Sequence, residues 1–314
     1  TSGNIAINGN STNSFGGYGI FFNSSGSSTG VNVTTVNGDI TLRGDSVGTS
    51  DAIALGGNGT ASVNNISSQG GNITLNGNFH SPNVPELDHG IAILGVTNKI
   101  QTTGSGNVTL IGNAADQGDG ISFYSSGNAL VSVENGALSV TGSSVYGDGV
   151  SILTGTNALR ATGSGSVTVT GTSTNAGGIT IYPSTNASSA TISTNSGKLT
   201  LDGTSGSASS SAGITLRSPG SGAAAGVNIL SNSGAIALNG TSKGGGDGIA
   251  FVGSSTNGFN TVSTGGSAGM TLNASSNGAA GIRFNGGTNS LKVVDGVLLV
   301  NVNAPNGTPI VQSG

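Results

Sequence analysis

Apolar residues recur along the chain in pairs two positions apart, with a small or polar residue between them and glycine on either side. The unit Gly-x-apolar-x-apolar-x-Gly opens as Gly3-Asn4-Ile5-Ala6-Ile7-Asn8-Gly9 and returns as Gly38-Asp39-Ile40-Thr41-Leu42-Arg43-Gly44. Further copies span 71–77, 106–112, 136–142, 165–171, 197–203 and 234–240, with weaker ones around Met270-Thr271-Leu272 and Leu298-Leu299-Val300. The first apolar residue of each is Ile5, Ile40, Ile73, Val108, Leu138, Val167, Leu199, Ile236, Met270 and Leu298, at successive intervals of 28 to 37 residues. A period of two marks a short strand with one buried face. No window carries a sustained 3.6-residue apolar stripe with caps, so helices are not expected.

A second unit, Gly-Ile-x-apolar, follows each first one. Its leading apolar residue is Ile20, Ile53, Ile91, Ile121, Val150, Ile179, Ile214, Ile249 and Ile282. A looser third unit completes the period, as in Val31-Asn32-Val33, Lys99-Ile100-Gln101, Ala190-Thr191-Ile192, Val227-Asn228-Ile229 and Leu291-Lys292-Val293. Three strands per ~33-residue period describe a three-sided coil that cannot bury its apolar side chains alone, so coils must stack. Stacking sets equivalent residues ~4.8 Å apart in parallel ladders. Parallel crossovers are right-handed in about 98% of cases.

The predicted fold is therefore all-β: a right-handed parallel β-helix, a three-sided solenoid of about nine to ten coils and ~45 Å. It forms one segment over residues 1–314. Isoleucine stacks on isoleucine in its interior, and Phe22, Phe123, Phe251 and Phe284 form another interior column. Variation in period belongs in corner loops, and the stretch 79–88, with two prolines and two acids, is the clearest insertion. Both ends open within a repeat, which predicts a longer parent chain or head-to-tail stacking, because solenoids normally cap their edges.

Composition supports this picture. Charged residues make up 6% of the chain, against roughly a quarter in an ordinary domain. Fifty-nine glycines and abundant Ser, Thr and Asn fit either a disordered chain or a solenoid with small polar turns. Disordered chains are poor in Val, Ile and Leu and carry high net charge. Here 33% of residues are hydrophobic and net charge is only −4, with mean hydropathy +0.08.

The lack of cysteine fits an exported protein that folds without disulfides. A pI near 4.8 and eight scattered basic residues argue against a nucleic-acid partner. No apolar run approaches the ~20 residues of a membrane-crossing helix, and no amphipathic helix suits a membrane surface. No cofactor is implied.

The phrases Thr-Thr-Gly-Ser-Gly-Asn-Val-Thr-Leu-Ile-Gly (102–112) and Ala-Thr-Gly-Ser-Gly-Ser-Val-Thr-Val-Thr-Gly (161–171) resemble passenger repeats of the filamentous haemagglutinin family. Autotransporter passengers and other bacterial β-strand-repeat surface proteins read similarly. The resemblance covers nearly the whole chain. It implies a structural rod of a secreted or cell-surface adhesin from a Gram-negative bacterium, displaying loops toward host or cell-surface ligands. The family offers no catalytic motif to transfer, and the chain is expected not to be an enzyme. The alternatives are a self-assembling extracellular filament or sheath subunit and, more remotely, a polysaccharide-active β-helix enzyme.

Candidate sites are few. Asp119 and Asp148 precede the glycine of the second unit in adjacent coils, with Asp88 and His89 one coil earlier. Stacked acids share protons or hold metals, but Asp-Gly is also an ordinary turn pair. No lysine or arginine is expected at matching positions, so the reading is turn chemistry. The run Gly244-Gly245-Gly246-Asp247-Gly248 has the look of a calcium-binding nonapeptide, yet that motif works in tandem, so it reads as a plain loop.

Thr41, Thr74, Thr109, Thr168, Thr200 and Thr271 form an outward column explained by surface strand propensity rather than an ice-ordering lattice. The outward column Ala54, Ala92, Ser122, Ser151, Thr180, Thr215 and Ala250 makes a smooth face, suited to lateral contact with another rod or to packing of a local loop. Asn-x-Ser/Thr sequons include Asn10, Asn23, Asn32, Asn58, Asn72, Asn107, Asn186, Asn239 and Asn273; loop sites such as Asn58 are better acceptors than strand sites. Tyr18, Tyr124, Tyr146 and Tyr182 are the few aromatic contact candidates.

Overall fold

The computed structural model describes residues 2–13, 16–23, 30–56, 63–80, 87–95, 97–124, 127–184, 188–219, 226–253 and 258–313. Among these, strands form three parallel sheets of ten, ten and nine members. Each of the first nine coils gives one strand to each sheet in turn, and the tenth gives one to the first and one to the second; in the fifth coil the three are Leu138–Ser144, Val150–Ile152 and Thr156–Ala161. Successive coils pair only with their sequence neighbours, so the sheets run the length of a three-sided parallel β-helix. No helix appears among the described residues.

Register follows the sequence columns without slippage. In the first sheet Ile5 pairs with Ile40, Ile40 with Ile73 and Ile73 with Val108, and the series continues to Met270 with Leu298. In the second, Ile20, Ile53, Ile91, Ile121, Val150, Ile179, Ile214, Ile249, Ile282 and Ile310 align. A one-residue slip would turn every apolar side chain outward, so burial of these columns fixes the alignment. They form one continuous core. Ile5 is only half-buried, covered by one neighbouring coil. Phe22, Phe123, Phe251 and Phe284 share a column, and the last two rings stack with centroids 4.9 Å apart.

Hydroxyls close the corners. At the end of the first-sheet strand, Ser144 Oγ donates to Gly118 O (2.7 Å) and accepts the Gly147 N–H (2.9 Å). Ser173 and Ser276 repeat this arrangement one and four coils on. Each hydroxyl joins a carbonyl of the preceding coil to an amide of its own corner, satisfying backbone groups that leave the ladder. Ser144→Ala should cost about 1–3 kcal/mol, the penalty for stranding buried partners, read as a lowered urea midpoint; an unchanged midpoint would show the bonds to be dispensable.

Polar side chains also enter the core, which the apolar pattern does not indicate. In the third sheet Asn64 Nδ2 donates to Asn98 Oδ1 (2.9 Å), and Asn260 Nδ2 to Asn289 Oδ1 (2.8 Å). Asn64, Asn98 and Asn260 also donate to backbone carbonyls at the corner with the second sheet. The core is apolar along two sides, with hydrogen-bonded amides at this corner.

A glycine column, Gly9, Gly44, Gly77, Gly112, Gly142, Gly171, Gly203 and Gly240, runs through the first sheet. Here the first-sheet strand touches the start of the second-sheet strand of its own coil: a Cβ on Gly142 would lie 1.9 Å from Gly149 O. Of the insertion at 79–88, residues 81–86 lie outside the described residues.

Candidate functional site

The outer edge of the second sheet gathers four titratable side chains, one from each of coils two to five. Asp51, His89, Asp119 and Asp148 each stand two residues before the leading isoleucine or valine of their strand, in four consecutive coils. His89, rather than Asp88, holds the position equivalent to Asp119. Sequence reasoning misses Asp51 because Ala52, not glycine, follows it; aligning on Ile53 finds it.

Each side chain accepts the amide of its counterpart one coil on. The His89 N–H donates to Asp51 Oδ1 (2.7 Å), Asp119 N–H to His89 Nδ1 (2.8 Å), Asp148 N–H to Asp119 Oδ1 (2.8 Å), and Gly177 N–H to Asp148 Oδ1 (2.8 Å). Outward hydroxyls supply the second oxygens: Ser151 Oγ donates to Asp119 Oδ2, Ser122 and Ser151 share a hydrogen bond, and Thr180 bonds Asp148. These side chains bond between coils rather than within their own Asp-Gly turns, and so form a chain along the rod.

Burial sets the electrostatics. Asp51 is only 6% exposed; its carboxyl is pushed up to about 6 by burial, opposed by the His89 ring when that ring is protonated and by the His89 amide. Asp148 is likewise raised to about 6, by burial and then by the Asp119 charge. Burial raises Asp119 too, against the bonds from Ser151, Asp148 N–H and Ser122. His89 is held below its ordinary value by burial, against the pull of Asp51. Its Nδ1 lies 3.9 Å from Asp119 Oδ2, but that nitrogen already accepts an N–H and so carries no proton. The approach is not an ion pair; the hydrogen-bond pattern assigns a neutral ring protonated at Nε2.

The same slot recurs at Asp247, with a different partner. Arg283 forks it through Nε to Oδ2 (2.7 Å) and Nη2 to Oδ1 (3.0 Å), while Oδ1 also accepts the Ala280 N–H. Arg283 stands opposite Ala250 in the ladder. Arg283 serves Asp247, four coils along the rod from Asp119 and three from Asp148. It also ties up the aspartate of the 244–248 loop. Among the described residues, no three His, Asp or Glu side chains converge as a metal-ligand set.

The expected lateral-contact face is largely enclosed by the chain itself. Ala54, Ala92, Ser122, Ser151 and Ala250 are at most 4% exposed, and only Thr180 and Thr215 are partly open. The acid strip accounts for part of this cover, since its carboxylates reach across to Ser122, Ser151 and Thr180. The first-sheet threonines do align in the ladder, Thr41 with Thr74 and Thr74 with Thr109.

Three sequon asparagines are engaged, and Asn72 and Asn107 lie just before their strands rather than within them. Asn72 bonds Asp39 and the Asn107 amide, Asn107 accepts the Ala137 N–H, and Asn239 accepts from Asn273. Asn58 and Asn186 lie outside the described residues, as do Ser24 and Ser25 of the Asn23 sequon; Asn10 and Asn32 are exposed. Of the tyrosines, Tyr18 stacks on Phe21 (4.3 Å), Arg217 covers Tyr182 (4.4 Å), and Tyr124 and Tyr146 are exposed.

These features define a repeat protein of the parallel β-helix class. No protein-family model, curated protein or solved structure matches the chain.

Proposed function

We propose that this chain is a structural rod from a secreted or cell-surface bacterial adhesin, holding its corner loops out for contact with host or cell-surface ligands. The observation that carries this reading is the unbroken register from coil to coil across all three sheets. Its outward aspartates are spent on neighbouring amides and hydroxyls rather than converging on a reaction centre. A stack of ten first-sheet strands spans about 43 Å at ~4.8 Å per step. The adhesin assignment and the Gram-negative surface location rest on the passenger-repeat resemblance. The reading includes no enzymatic activity and no cofactor.

Electron microscopy of the purified chain should show single rods of that length. Long fibres would replace this reading with a filament subunit. Polysaccharide cleavage abolished by Asp119→Ala and Asp148→Ala would replace it with an enzyme.

A further inference from the structure

The strip of carboxylates and imidazole on the second sheet has more than a capping role. Its members form a continuous relay of coil-to-coil bonds, Asp51 to His89 to Asp119 to Asp148 to Gly177. The titratable groups acting on one another along it are Tyr18, Asp51, Asp88, His89, Asp119 and Asp148. Among the described residues no lysine or arginine pairs with Asp51, Asp119 or Asp148, in contrast to Asp247 with its Arg283 fork.

We propose that this strip is a proton-operated clasp: protonation of Asp148 and its neighbours tightens the outer edge of coils two to six, and ionisation loosens it. It makes one stretch of an otherwise uniform rod responsive to mild acid, whatever the rod binds.

The sign follows from proton linkage. Asp51 and Asp148 stand near 6 in the folded chain against an ordinary 3.8. Between those values the folded chain holds protons that the unfolded chain has released, so closure weakens as pH rises through about 6. Asp119, raised as well, adds in the same direction. His89 opposes them, since its lowered value disfavours the folded state as pH falls below 6.5. Protonating its Nδ1 would also break the bond from Asp119 N–H. Across the mildly acidic range the imidazole is thus opposed by three carboxyls. Their action is clearest at the Asp148 and Gly177 amides, which carboxylates hold directly.

Amide hydrogen exchange on the whole chain tests this, because it reads local opening. After correction for intrinsic exchange, protection at the Asp148 and Gly177 amides should rise on going from pH 7.5 to 5. The rise should be roughly 10-fold for each carboxyl, because pH 5 lies one unit below a value near 6 and still above the ordinary one. The Ala280 amide, held by the arginine-paired Asp247, should stay level. Asp119→Asn with Asp148→Asn keeps the accepting oxygens and should flatten the response at both amides while leaving that of His89 N–H, held by Asp51. Asp148→Asn alone should flatten it at Gly177, should the double variant fail to fold. Protection independent of pH in the parent chain, an equal response at Ala280, or a response surviving in the variants would overturn the proposal.

Discussion

Gly142→Ala should lower stability by about 3 kcal/mol or more, at the upper end of what overpacking produces. The added Cβ would sit 1.9 Å from Gly149 O and 2.8 Å from Val150 Cγ2. The nearest of these atoms is backbone carbonyl, held by the ladder of the second sheet, so no rotamer change relieves the clash. Gly245→Ala, with nothing within 4 Å of the new atom, should fall within about 0.5 kcal/mol of the parent, as surface substitutions do. Urea unfolding of both variants checks the pair. Equal midpoints would mean that the corner yields to the added methyl.

Phe123→Ala should be of similar size, about 3–5 kcal/mol for truncating a fully buried ring. Phe123 is inaccessible to solvent and lies between Ile93 and Ile152 in its column. In a rod whose coils touch only their neighbours, stability is close to a sum of local terms. The damage should therefore be confined: proteolytic sites should open in coils three to five while distant coils stay protected. The same change at Phe284, only partly buried in the ninth coil, should cost clearly less. Uniform loss of protection along the chain would show that it unfolds as one cooperative unit.

How much of this is legible in the sequence depends on which interaction repeats. The isoleucine columns read clearly because side-chain alternation and coil period act on the same positions, and a slip at Ile91 or Ile121 would expose a whole face. The third sheet reads only loosely. Its interior includes Asn64, Asn98, Asn157 and Asn260, whose side-chain amides donate to carbonyls and to one another, so hydropathy alone marks them as surface.

The smooth column beginning at Ala54 is legible as small but not as covered, because cover by acids from adjacent coils is a contact about thirty residues away in sequence. The acid strip is visible at Asp119 and Asp148 through their Asp-Gly pairs. Asp51, followed by alanine, and His89, a different residue type, break that local signature while keeping the position. Arg283 escapes for a related reason: it meets Asp247 from the next coil, 36 residues on.

The identity of neighbouring registers makes the coil interchangeable. Gly136 and Gly165 are stacked equivalents, as are Leu138 and Val167, and the 29 residues between such positions are one full circuit of the rod. A chain that loses or duplicates one circuit keeps each column in step and changes in reach by a single strand spacing, about 4.8 Å. Unequal crossing-over between repeats would therefore tune reach in small, near-neutral increments. A lineage of such rods is free to drift in length much faster than it can drift in cross-section.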